Sequence, residues 1–63
     1  MDKTKQVSLL KAEQVAEILN ISRAMVYRLI RRGEIPAICI GRLKRVLPVD
    51  LNGYIQNKKI SIE

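Results

Sequence analysis

Arg23, Arg28, Arg31 and Arg32 fall within ten residues of one another. The guanidinium is a permanent cation with five N–H donors in a planar fork. It holds phosphate oxygens through paired hydrogen bonds, and it pairs in the same way with the major-groove edge of guanine. Tyr27 lies among these arginines and adds a hydroxyl that can reach a phosphate; the alternative for its ring is partial packing into the domain. Ala24 adds a side chain small enough to approach a thymine methyl. A second basic group, Arg42, Lys44 and Arg45, follows Gly41.

The charge is concentrated. The chain of 63 residues carries 12 Lys and Arg against 6 Asp and Glu, a formal net charge of +6. Between Arg23 and Arg45 stand seven basic residues and one acid, Glu34, so this stretch carries the whole excess. Elsewhere five basic residues balance five acidic ones. Charge gathered in one third of a small chain is the electrostatic footprint of a partner rich in phosphate.

The inventory argues against catalysis. Histidine is absent, which removes the commonest general base and metal ligand. Cys39 is the only cysteine, so it can form neither an internal disulfide nor a thiolate zinc site, and it is expected to fill a strand core. Glu13 and Glu17 share an exposed helix face without a cleft, and no glycine-rich phosphate loop occurs. No enzyme activity, metal or cofactor is expected. No segment approaches the 18 or so apolar residues of a membrane span, and Met1–Gln6 lacks the apolar run of a signal peptide. A cytoplasmic location is the corresponding expectation.

These side chains need elements to aim them. At about 100° per residue, Ala12, Val15, Ala16, Ile18 and Leu19 fall toward one side of a helix, opposite Glu13, Gln14 and Glu17. Lys11 is a poor N-cap for it, while Gln14 sits where a capping box wants it. Asn20-Ile21-Ser22 is a short connection in which Ser22 caps a second helix and Ile21 fills the gap between the two. That second helix spans Arg23–Arg32. Met25, Val26, Leu29 and Ile30 make its apolar arc; Arg23, Ala24, Tyr27, Arg28, Arg31 and Arg32 make the other. Met25 reads as core edge. Gly33 supplies a left-handed end. Two helices joined by about three residues form a helix-turn-helix.

After Gly33 the apolar period shifts from helical to alternating. Ile35–Ile40 reads as a strand, Gly41-Arg42-Leu43 as a turn and Lys44–Leu47 as the returning strand. The hairpin has a basic tip: Arg42 and Lys44 lie at or beside it, while alternation directs Arg45 to the opposite face. Pro48 opens a last helix reaching about Lys58, with Leu51, Tyr54 and Ile55 as its buried stripe. The ends, residues 1–7 and Lys59–Glu63, read as frayed, although the alternating isoleucines of the C-terminal end could pair with a neighbouring chain. The expected fold is mainly α with a small β-hairpin, a winged helix-turn-helix of order α-α-β-β-α. One domain covers residues 1–63, with an ordered core of about 8–58.

Leu9–Leu19, Ile21-Ser22, Val26–Ile30, Gly33–Ala37, Ile40-Gly41-Arg42 and Pro48 with Asp50, Leu51 and Tyr54 together resemble the excisionase-type helix-turn-helix family, which is related to the MerR-type winged-helix domains. The resemblance covers about residues 8–56. It implies a second helix in the DNA major groove and a hairpin wing on the adjacent minor groove or backbone. Small members of the family are commonly recombination directionality factors that bind repeated sites, bend the DNA, assemble side by side and direct an integrase toward excision. Two positions depart from the family's pattern: Lys11 replaces the usual Thr or Ser cap, and Leu43 replaces a polar or basic wing residue. An exposed Leu43 could touch a neighbouring protomer.

The expected function is sequence-specific binding of double-stranded DNA by an excisionase-like factor. Its expected partners are an integrase and further copies of itself on DNA. A small transcriptional regulator of the same fold is the alternative, and a protein-interaction adaptor using the basic helix is a third reading.

Overall fold

The structure, a computed structural model, describes residues 8–60. The expectations for residues 1–7 and 61–63 lie outside that range. Six elements follow in order: β1 (Leu10–Lys11), α1 (Ala12–Leu19), α2 (Arg23–Arg31), β2 (Ile38–Ile40), β3 (Leu43–Val46) and α3 (Pro48–Lys58). This is a winged helix-turn-helix.

The helix boundaries follow from local chemistry. The Lys11 N–H donates to Gln14 Oε1 at 2.8 Å, so the capping box is half made, as the sequence implies. The first helix ends where Asn20 turns left-handed at φ 58°. Its N–H reaches the Glu17 carbonyl and the Ile21 N–H reaches that of Ala16, which satisfies two carbonyls of the last turn. Ser22 Oγ then accepts from the Met25 N–H at 3.1 Å and starts α2. The second helix closes in the same way as the first. Gly33, at φ 79°, donates to Ile30, and Glu34 donates to Leu29. Pro48 occupies the first turn of α3, with Asp50 beside it and Lys58 in the last turn.

The core is small and aliphatic. Ala12, Val15 and Ala16 of α1 meet Val26 and Leu29 of α2, Ile35 of the following link, Val46 of β3 and Leu51 of α3. Ile21 and Met25 pack at its edge, the first plugging the turn and the second serving as core edge. Ile18 departs from expectation, being 55% exposed. It lies roughly 110° from the middle of the stripe set by Ala12, Val15, Ala16 and Leu19, on the flank of a helix that touches the core along a narrow line. Ile55 is also exposed, so Leu51 and half-buried Tyr54 anchor α3 without it.

The sheet holds one strand more than the hairpin. β3 lies in the centre, antiparallel to β2 on one side and to β1 on the other. Leu10 opposes Val46 and Lys11 opposes Arg45. Two residues of β1 carry too little alternation to announce a strand, and their partners are 36 and 34 positions away along the chain. In the hairpin, Ile38 opposes Arg45, Cys39 opposes Lys44 and Ile40 opposes Leu43. The turn is therefore the two residues Gly41-Arg42, with Gly41 at φ 60° in the first central position, where a two-residue hairpin turn calls for glycine.

Candidate nucleic-acid interface

The expected division of α2 is present. Val26 and Leu29 are 0% and 4% exposed, and Met25 and Ile30 are half-buried against the core. Arg23, Ala24, Tyr27, Arg28, Arg31 and Arg32 are all exposed. The four guanidinium side chains thus share the solvent side of a helix whose other side is fixed. The helix is rigidly seated because caps close both its ends and two fully packed side chains hold its middle.

The arginines are not equivalent. Arg23 Nη1 lies 3.2 Å from Glu13 Oε2 of α1. Arg32 Nη2 lies 3.2 Å from Glu34 Oε2, and the other oxygen of Glu34 takes Lys58 Nζ at 3.3 Å. Lys58 also stands 5.7 Å from the Tyr54 ring centre, so Glu34 ties the end of α2 to the end of α3. Arg28 Nη1 approaches Met25 Sδ at 4.0 Å. Among the described residues Arg31 has no acidic partner within ion-pair distance. Exposed pairs of this type are worth about 0–1 kcal/mol, so they add little to folding stability.

The Glu13 carboxyl is held below its ordinary pKa. A backbone hydrogen bond at its own position is the largest cause, followed by the Arg23 and Lys11 cations. The group therefore stays ionised throughout the neutral range.

Register separates the basic residues of the hairpin. Lys44 shares a sheet face with Cys39 and with buried Val46, and this face turns toward α2. Its Nζ is 3.6 Å from Cys39 Sγ. Arg45 lies on the opposite face, half-buried, with Nη1 donating to the Lys44 carbonyl at 2.9 Å. The alternation in the sequence anticipates this opposition. Arg42 occupies the turn and is exposed.

Cys39 is a correction. It is exposed rather than part of a strand core. The hairpin reaches past the end of the core, so the face that buries Val46 at one end is open at the other. What lies there is a concave groove of about 710 Å³ between α2 and the hairpin. Tyr27 and Arg31 line one wall, Cys39 and Lys44 the other, and Ile35 lies at the floor. The outer face of the hairpin carries exposed apolar side chains, Ile40 and Leu43 at 50% and 51% with Ile38 beside them, next to half-buried Arg45. Leu43, one of the two departures from the family pattern, thus lies outside the core.

Sequence reasoning named all the cationic residues of this surface and missed two acidic ones. The sequence marks Glu13 as an outer-face charge and Glu34 as the one acid in a basic stretch, without their partners. The Glu13–Arg23 and Glu34–Lys58 pairs are set by how the helices pack, ten and 24 positions apart, whereas Arg32 and Glu34 are two residues apart. Among the described residues no three His, Cys, Asp or Glu side chains gather as a metal site, and no helix is long and apolar enough to cross a membrane.

A stretch of 49 residues is 43% identical to the uncharacterized protein YvgK of Bacillus subtilis, covering 78% of this chain and 16% of that protein. A stretch of 41 residues is 42% identical to the "Putative DNA-binding protein Rv0500A" of Mycobacterium tuberculosis, covering 65% of this chain and 53% of that one. The chain thus spans about a sixth of the first relative and about half of the second. No solved structure matches. The family model described as a helix-turn-helix domain matches residues 9–59, nearly all of the described chain. With the helix pair, the turn and the wing in place as that architecture requires, the chain belongs to the helix-turn-helix domain family.

Proposed function

We propose that the chain binds specific duplex DNA, with α2 in the major groove and the hairpin on the neighbouring backbone or minor groove. One observation carries this reading: every residue on the arginine face of α2 is exposed while the opposite face is packed. A groove about 12 Å wide admits one helix, and such a helix must be held from behind while it presents long donors in front. Arg23, Ala24 and Tyr27, early in the helix, face base edges. Arg28, Arg31 and Arg32 hold phosphates, and these contacts set register without reading sequence. Lys44 extends the same phosphate track across the groove from Arg31, and Arg42 reaches the backbone from the hairpin tip. Arg45, on the far face of the wing, contributes charge rather than contact.

The role that fits this binding mode is an excisionase-like architectural factor that bends attachment-site DNA and assists an integrase. The resemblance across residues 8–56 supports it. So does the exposed apolar wing face of Ile38, Ile40 and Leu43, which suits a neighbouring copy bound alongside. The DNA-binding name of the mycobacterial relative supports the broader reading.

Binding to a labelled duplex across a salt series tests the DNA reading. About five phosphate contacts give a log–log slope near −4 to −5. A salt-insensitive interaction with a protein, and none with DNA, would assign the basic helix to an adaptor. Footprinting on DNA tiled from the neighbouring genome tests the role: protection of repeated sites beside an integrase attachment site supports excision, and protection confined to a promoter supports transcriptional control.

A further inference from the structure

The ion pair between Glu13 and Arg23 joins the first turn of α1 to the first residue of α2. Both side chains are 60% exposed, so the pair adds little to folding stability. Its position matters more. Arg23 is the first residue of the helix that carries the exposed arginine face, where a cation is opposed by the positive end of the helix dipole. The Glu13 carboxylate compensates there, and its depressed pKa keeps it charged at neutral pH.

Arg23 and Glu13 together carry no net charge, whereas Arg32, Glu34 and Lys58 together keep one positive charge, which leaves Arg32 suited to a phosphate. Drawing Arg23 onto a phosphate would bring the Glu13 carboxylate toward the phosphate oxygens, and like charges repel. Such an approach also displaces little of the counterion atmosphere that drives phosphate binding. A base edge is neutral and imposes neither cost. Arg23 meets Glu13 through Nη1, which leaves the rest of the donor fork open to a guanine edge. We infer that Glu13 is a positioning residue that withholds Arg23 from the backbone and directs it to one base pair, so that the two side chains act as a specificity unit.

This rests on the DNA-binding reading above, and it has a signature that a merely structural pair lacks. Removing the carboxylate changes affinity and specificity in opposite directions. The full chain is used to select binders from a randomised duplex library. Binding by wild type, Glu13→Gln, Arg23→Ala and the double variant is then measured by fluorescence anisotropy. The probes are the enriched duplex and each of its single-base variants, over a series of KCl concentrations. Glu13→Gln is expected to bind non-cognate duplex more tightly and to steepen the log–log salt slope by about 0.9, the increment of one added phosphate contact. It is also expected to lose about tenfold discrimination at a single base pair, the same one that Arg23→Ala flattens. In the Arg23→Ala background, Glu13→Gln should leave the base profile unchanged, because nothing remains to position.

An unaltered base profile in Glu13→Gln overturns the inference, even if affinity rises on every sequence. So does a profile altered equally with and without Arg23. Wild-type chain that binds no duplex at any salt overturns the DNA reading itself, and the positioning role with it. Matching thermal melts of the variants establish that both exposed substitutions leave the fold intact.

Discussion

The second helix and the β2–β3 hairpin each carry part of the basic surface, but they are held in different ways. The helix is seated by Val26 and Leu29, capped by Ser22 at one end and turned by Gly33 at the other. The hairpin is held only near its base, where Val46 enters the core and β1 pairs alongside. Its outer face is open to solvent at Ile40 and Leu43, and its tip at Arg42 is exposed. A rigid element can place a donor against one base edge, which requires angular accuracy. A more loosely held element can still add charge, because attraction to phosphate tolerates displacement. Under the proposed binding mode, reading falls to the firmly anchored helix and gripping to the hairpin.

Substitutions sharpen this contrast, and the largest effect belongs to the seat of the helix. Leu29→Ala should cost about 2–5 kcal/mol of folding stability, enough to unfold much of so small a domain. A thermal melt that remains unshifted would mean that the helix is not anchored as described. Arg23→Ala should cost about 1–3 kcal/mol of binding to the preferred duplex and relax the preference at one position. Uniform weakening on all sequences would move Arg23 to the gripping class. Arg42→Ala should leave the preference unchanged and make the log–log salt slope shallower by about one, as loss of a single phosphate contact requires. An identical slope would remove the hairpin tip from the interface.

Ser22→Ala should cost about 1 kcal/mol of stability through the Met25 N–H that it leaves unpaired. The smallest change is expected at Leu43→Ser, within about 0.5 kcal/mol, because that side chain is already half in water. A large loss at Leu43 would show that the outer wing face is packed against something in solution. Comparing the melts at low and high protein concentration would then identify a second copy as the cover.

Much of the fold was legible from periodicity and end signals. The helix-turn-helix, the Ser22 cap, the left-handed Gly33 and the Pro48 start each depend on residues within a few positions of one another. The hairpin was legible as a pair of strands, but not its burial. Alternation told that Lys44 and Arg45 face opposite ways, whereas only the placement of the core decided that Cys39 looks into an open groove. Ile18 and Ile55 are exposed, contrary to their place in the apolar stripes, because an apolar residue at the edge of a stripe is buried only if a neighbour reaches that far.

The sequence by itself therefore determined the helices, their ends and the side of α2 on which the arginines stand, since these follow from short-range hydrogen bonding and a fixed angular step per residue. Only the tertiary structure decided that Leu10–Lys11 joins the sheet, that Lys58 meets Glu34, and that Glu13 meets Arg23. Those contacts join residues distant along the chain, and no local preference encodes a distance that depends on how whole elements pack.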